Sequence, residues 1–302
     1  MPKLIRVKRK DFLKLLALFP LSGTAMKLNE LNKLTSEFGF TKIMPVLFIG
    51  HGNPMNAITD NEFAKGWKKI AENLPKPKAI LCISAHWETN GTYVTAMKNP
   101  NTIHDFGGFP RELFEATYQA PGSPEIAQET KKTIKKTTIG LDEKWGLDHG
   151  TWSILKPMYP EADIPVLQLS LDYNKPIQYH YELAKELAEL RNKGVLIIGS
   201  GNMVHNLGLV RANSMADLDK EFGFDWAHEM NSIFKTKILE KDHKALINYE
   251  LLSKSAKLAI PTREHYLPLI YTLALQEQNE SAEFFNDKAV AGSLTMTSVL
   301  IK

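Results

Sequence analysis

From residue 44 onward the chain alternates short apolar, β-branched runs with amphipathic segments of helical period, and this alternation limits its fold more than any other feature. A strand that is apolar along its whole length must be covered on both faces, and helices between such strands supply the cover. The expected fold is therefore α/β: one domain with a central, mostly parallel or mixed sheet flanked by helices. Strands are expected near residues 45–49, 79–84, 92–97, 165–171, 195–199 and 294–300, and helices near 62–73, 124–137, 176–192, 224–240 and 263–276. Ser123 before Pro124 is a helix-start signal, an N-cap followed by proline at the first position. Residues 99–122 and 140–165 are rich in Gly, Pro and aromatics without a period, and read as long loops of the kind that line a site.

Composition removes several classes of function. With 43% hydrophobic and 24% charged residues the chain is an ordinary globular one, and 37 Lys+Arg against 34 Asp+Glu leave a net charge of +3, too small and too dispersed for a nucleic-acid surface. No apolar run approaches the 18 or so residues of a membrane helix, so no membrane partner is expected. The lone cysteine, Cys82, sits in an apolar run and reads as packing, so a metal would have to be held by His, Asp or Glu.

Residues 1–43 differ in kind and are read as an N-terminal extension to a 44–302 domain. Lys3, Arg6, Lys8, Arg9 and Lys10 precede a short apolar stretch, 15–21, and the small residues Ser22, Gly23, Thr24 and Ala25, the outline of an export leader. Lys10 stands where a twin-arginine signal has its second arginine, and Phe12, Leu15, Leu16 and Phe19 also fit a basic amphipathic helix. A cytoplasmic location is expected, with periplasmic export through this degenerate leader as the alternative. A second polar helix, 28–38, would lead into the domain.

Ligands of an open α/β sheet bind beyond the carboxyl ends of its strands. Three expected strands run into histidines there: residues 46–49 into Gly50-His51-Gly52-Asn53-Pro54, 80–84 into Ala85-His86-Trp87-Glu88, and 195–198 into Gly199-Ser200-Gly201-Asn202-Met203-Val204-His205. A fourth, His265, is expected in the first turn of a helix capped by Thr262. Several imidazoles reaching one cleft, with no thiolate available, suit Zn(II) or Fe(II). His104 and His149 lie in loops beside aspartates, as acid/base groups or as hydrogen-bonded ties. His180, His228 and His243 are assigned no chemistry. Ser200 lacks the glycines two residues away on either side that a nucleophile elbow needs, and Gly199-Ser200-Gly201 lacks the third glycine of a dinucleotide fingerprint and the P-loop lysine.

The segments Gly50-His51-Gly52-Asn53-Pro54, Ser84-Ala85-His86-Trp87-Glu88, His104-Asp105-Phe106-Gly107-Gly108-Phe109-Pro110, Leu147-Asp148-His149-Gly150-Thr151-Trp152, Gly201-Asn202-Met203-Val204-His205-Asn206 and Arg263-Glu264-His265-Tyr266 resemble the class III extradiol ring-cleavage dioxygenases, the 4,5-DOPA dioxygenase branch most of all. The resemblance spans residues 44–302. It implies metal ligation by His51, His86 and His265, and His205 at the metal as a further ligand or the catalytic base. It places His149 near the substrate. It also implies Fe(II) for activity, a small DOPA-like catechol and O₂ as substrates, and a ring-opened muconic semialdehyde as product. Relatives that cleave protocatechuate carry glutamate at the third ligand position. Glu264 adjoins His265, but helix neighbours point about 100° apart, so the two would not both face one ion. An all-histidine site also accepts zinc, which has no redox chemistry. A zinc hydrolase and a non-catalytic interaction protein on the same fold are therefore the alternatives. Trp87, Phe106, Phe109 and Trp152 are candidate pocket walls. Neither the particular catechol nor the oligomeric state is written in the sequence.

Overall fold

The computed structural model describes residues 43–302; the expected leader and the helices of the extension lie outside the described residues. The strands are β1 (Val46–Gly50), β2 (Ala79–Thr89), β3 (Thr92–Thr95), β4 (Ile139–Asp142), β5 (Val166–Asp172), β6 (Val195–Gly201), β7 (Ala282–Phe285), β8 (Ala289–Val290), β9 (Leu294–Thr295) and β10 (Ser298–Ile301). Among the described residues, eight of these form one sheet in the order β4-β3-β5-β2-β6-β1-β10-β7, and β8 pairs with β9 apart from it. The four central strands β5, β2, β6 and β1 are mutually parallel, whereas β3 runs antiparallel to β5 and β10 antiparallel to β1 and β7. The sheet is thus mixed, with a parallel centre.

Alternation within the central strands sends neighbouring side chains to opposite faces, and both faces are dry. Leu47, Ile49, Ile80, Cys82 and Ile198 pack with Phe63 and Trp67 of α1 (Glu62–Glu72) and with Trp152 and Leu155 of a helix spanning His149–Met158. On the other face Phe48, Leu81, Ile83 and Ile197 meet Leu183, Phe234, Leu267 and Leu273 from three further helices. Each such side chain contributes about 1.5–3 kcal/mol on burial, which is why these strands are central. Cys82 is buried here and packs, as expected. Among the described residues no helix is long and apolar enough to cross a membrane.

In chain order the remaining helices of note are α2 (Pro124–Thr133), α3 (His149–Met158), α4 (Ile177–Glu186), α5 (Asp225–Leu239) and α6 (Leu267–Ala274). Ser123 caps α2 by accepting from the Ile126 N–H, as its sequence predicts. Four expectations need correction. The helix expected over 176–192 divides at Leu187 into α4 and a short piece, Ala188–Asn192. The stretch 294–300 is two strands, β9 and β10. Residues 140–165 hold α3 and β4 rather than a continuous loop. Eight of the ten residues of α3 are buried, so it has no polar face to give a helical period. Finally, α6 begins at Leu267 rather than at 263, leaving His265 in the turn before the helix.

Candidate metal centre

Strand register brings the histidines to one level. Gly50 of β1 pairs with Gly201 of β6, and Ser84 of β2 pairs with Ser200 of β6. His51 follows β1 at once and donates its N–H to the Gly201 carbonyl at 3.1 Å. His86 lies within β2, at a shift in register between Ile83 and Glu88, so an irregularity in the strand and not its end delivers the ring. His205 lies four residues beyond β6, its N–H bonded to the Ala259 carbonyl at 2.9 Å. The carbonyl of His265 accepts the Asn202 N–H at 2.9 Å. A Cβ on Gly201 would stand 2.1 Å from that carbonyl oxygen, so only glycine lets the His265 turn approach β6.

One ring nitrogen from each of His51, His86 and His265 falls within a cluster no more than 4.8 Å across. His51 Nε2 and His86 Nε2 are 3.2 Å apart. The ring of His205 stacks on His265, centroids 3.4 Å apart and planes 7° apart, and His205, Glu264 and His265 form a second such group. A third comprises His86, Asp105 and His149, with the rings of His86 and His149 centred 3.9 Å apart. The four sequence-predicted candidates and His149 therefore share one site, His205 beside His265 and His149 beside His86.

Behind the rings stands a layer of partners. Ser200 Oγ donates its single hydrogen to the Gly150 carbonyl and lies 3.0 Å from His51 Nδ1. It must therefore accept from His51, which places the imidazole proton on Nδ1 and leaves Nε2 bare. Glu264 Oε1 is 3.2 Å from His265 Nδ1, so Glu264 sits behind that ring. Asp105 Oδ2 is 3.0 Å from His149 Nδ1 and 3.6 Å from His86 Nδ1. Asp148 caps α3 and is buried among Ser84 Oγ at 2.7 Å, Gln168 Nε2 at 2.6 Å and the Thr151 N–H at 3.1 Å, and burial raises its pKa. That network sets the start of α3, and so the placement of His149. Gly150 is part of it: a Cβ there would lie 2.5 Å from Ser84 Oγ and 2.8 Å from His86 Cδ2.

Burial disfavours the charged form of four of the rings. His51 and His265 are driven well below the usual histidine pKa by desolvation first and then by neighbouring imidazoles. His86 falls to about 3 and His205 to about 4, in each case through burial and then the proximity of His149. Burial pushes the Asp105 carboxyl up, but its hydrogen bonds and charge attraction with His149 outweigh that and hold it below the usual value. The rings open on a cavity of about 410 Å³ whose outer wall is apolar: Phe106, Phe109, Leu207, Val210, Leu218 and Leu294.

The remaining aromatic candidates divide. Phe106 and Phe109 line the cavity, whereas Trp87 stacks on Trp145 and Trp152 is buried, donating from Nε1 to the Ile103 carbonyl. His104 contacts the Ala116 carbonyl at 2.8 Å, a loop tie, and His180 and His243 pair with tyrosine hydroxyls. Ser200 was weighed from the sequence only as a nucleophile, and Asp105, Asn53 and Leu218 were given no role there. Asp105 and Asn53 lie inside the histidine motifs, which were the one signal for them.

Donor chemistry fits a transition-metal ion. Three neutral imidazoles with converging nitrogens are a ligand set for Zn(II) or Fe(II). Ligands about 2.1 Å from one ion and 90–109° apart would lie about 3.0–3.4 Å from each other, and the 3.2 Å between His51 and His86 Nε2 falls in that range. The hydrogen-bond partners on Nδ1 are the outer layer that such ligands carry.

A parallel-centred α/β sheet that gathers three converging histidines beneath a cavity with an apolar wall suits an enzyme with a metal centre. The family described as "Catalytic LigB subunit of aromatic ring-opening dioxygenase" matches residues 45–300, and the chain belongs to it. It is 44% identical over 262 residues to the 4,5-DOPA dioxygenase extradiol of Escherichia coli (strain K12), covering 85% of this chain and 94% of that protein. It is 38% identical over 264 residues to the 4,5-DOPA dioxygenase extradiol of Beta vulgaris, covering 85% and 96%. The crystal structure of an uncharacterized protein from Escherichia coli K12 superposes with a TM-score of 0.74 at 39% identity, covering 86% of this chain and all of that one.

Proposed function

We propose that the protein is an extradiol ring-cleaving dioxygenase that opens a small, DOPA-like catechol with both atoms of O₂ to give a muconic semialdehyde. The observation that carries this reading is the convergence of His51, His86 and His265 beneath a cavity faced by two further histidines, His205 and His149, in a chain of this family. His51, His86 and His265 would hold the metal, Fe(II) in the active enzyme. When bound, that ion supplies a Lewis acid for the catechol oxygens and a one-electron partner for O₂.

The chain's own residues do the rest. Phe106 and Phe109 flank the cavity and exclude water from the ring. His205 is held neutral by burial, so it has a lone pair ready for a catechol hydroxyl proton. His149 lines the same cavity and would hydrogen-bond the oxygen on which charge develops.

Oxygen uptake tests the reading. Metal-stripped protein is reloaded anaerobically with Fe(II) or Zn(II) and offered a panel of catechols that includes DOPA. Uptake with Fe(II) alone and a coloured ring-opened product is the expected result. Stoichiometric metal with no uptake on any catechol would overturn it in favour of a zinc hydrolase or a binding protein.

A further inference from the structure

Residues 211–220 form a loop whose two ends meet at Ala291, just after β8. The Arg211 N–H donates to the Ala291 carbonyl at 2.8 Å, and the Ala291 N–H donates to the Lys220 carbonyl at 3.4 Å. A loop closed on one residue in this way is an Ω-loop. Between its ends it bonds to itself, the Asn213 N–H to Asp217 Oδ2 at 3.0 Å and the Asp217 N–H to the Ser214 carbonyl at 3.1 Å, and residues 212–216 are exposed. Its inner face differs. Leu218 lines the cavity together with Gly52, Asn53 and Pro54 of the turn after β1. Asp219 joins the two sides, its Oδ2 accepting from Asn53 Nδ2 at 3.3 Å. Asn53 is itself fixed, since its Oδ1 accepts the Met55 N–H at 3.0 Å. Asp219 Oδ1 is buried without a hydrogen-bond partner, and burial pushes the carboxyl up to about 6. Closure thus sets a hydrogen bond against the cost of keeping a carboxyl from water.

We propose that loop 211–220 is a cover of the cavity, latched by Asp219 on Asn53, and that the Leu218 it carries is a specificity-determining contact for the molecule the cavity holds. Asp219 is a positioning residue: it acts through the loop and not on the substrate. Leu218 would touch the ring substituent of a catechol. That last step rests on the dioxygenase reading above, whereas the latch does not.

The test is trypsin cleavage of the Arg211–Ala212 bond in the full-length protein, followed by mass spectrometry, which reports the open fraction when opening and closing are fast relative to cleavage. Asp219→Ala should be cut about 2- to 10-fold faster than the wild type, the range one hydrogen bond is worth. Asp219→Asn, whose amide oxygen still accepts from Asn53, should be cut no faster than the wild type. In Fe(II)-loaded Leu218→Ala the ratio of KM for DOPA to KM for unsubstituted catechol should change by about 4-fold or more, the worth of one buried CH₂. Equal cleavage of Asp219→Ala and the wild type overturns the latch, and an unchanged KM ratio in Leu218→Ala overturns the specificity role. The digest needs no turnover. Faster cleavage of Asp219→Ala in a protein inert to every catechol would sink the dioxygenase reading and leave the latch standing, whereas equal cleavage in an active enzyme would do the reverse.

Discussion

Ser200 gives its hydroxyl hydrogen to the Gly150 carbonyl and takes one from His51 Nδ1, 3.0 Å away, so a buried serine on β6 sets the tautomer of a histidine on the end of β1. Ser200→Ala would leave the His51 N–H and the Gly150 carbonyl without this partner. A loss of about 1–3 kcal/mol in stability is expected, with metal affinity down about 10-fold. Thermal denaturation and chelator competition on the same variant measure the two effects.

Histidine roles separate by what survives. His51→Ala should lose both metal and activity. His205→Ala should keep metal at one equivalent while turnover falls about 10²- to 10⁴-fold, the usual worth of a proton-transfer group. Metal analysis beside oxygen-electrode rates decides it, and normal turnover by His205→Ala would remove the base assignment.

Metal-free protein should lose stability in mild acid. His86 and His205 titrate at about 3 and about 4 in the folded chain, below the unfolded value of about 6.5. The unfolded chain therefore takes up protons first as pH falls. The stabilisation is whole above about 6.5 and declines below it, by about 1.4 kcal/mol per pH unit for each histidine, until the folded values are reached. His51 and His265 act in the same direction. Urea unfolding of the apoprotein from pH 7 to 5 should show a falling midpoint, and a flat profile would contradict these neutral, buried rings.

Gly150 should tolerate no side chain. An alanine Cβ would meet Ser84 Oγ and the His86 ring at well under 3 Å. Gly150→Ala is expected to cost about 1–3 kcal/mol and to weaken metal binding by moving His86. Calorimetry with and without metal checks both.

Substrate grip should rest on the apolar wall. Phe109 lines the cavity and packs on Phe106 with centroids 5.3 Å apart. Phe109→Ala should raise KM for a catechol by about 2- to 10-fold, the worth of one aromatic contact, and leave kcat nearly unchanged. Steady-state kinetics over a range of catechol concentrations will tell.

Periodicity and strand-end position are local properties, and they were enough to indicate the parallel-centred sheet, the burial of Cys82 and the arrival of His51, His86 and His205 at one rim. The six ordered motifs carried the family resemblance. What they left open was set by contacts between distant segments. α3 has no polar face to read, so its N-cap Asp148, which aims His149, was invisible. Helix-start residues near Thr262 suggested an early helix, yet the chain turns instead where the His265 carbonyl meets β6 at Gly201. Ser200 and Asp105 carry no motif of their own as orienting groups. Ser200 acts on a ring 149 positions away and Asp105 holds a backbone N–H 44 positions away, and which nitrogen of His51 is bare depends on that through-space serine.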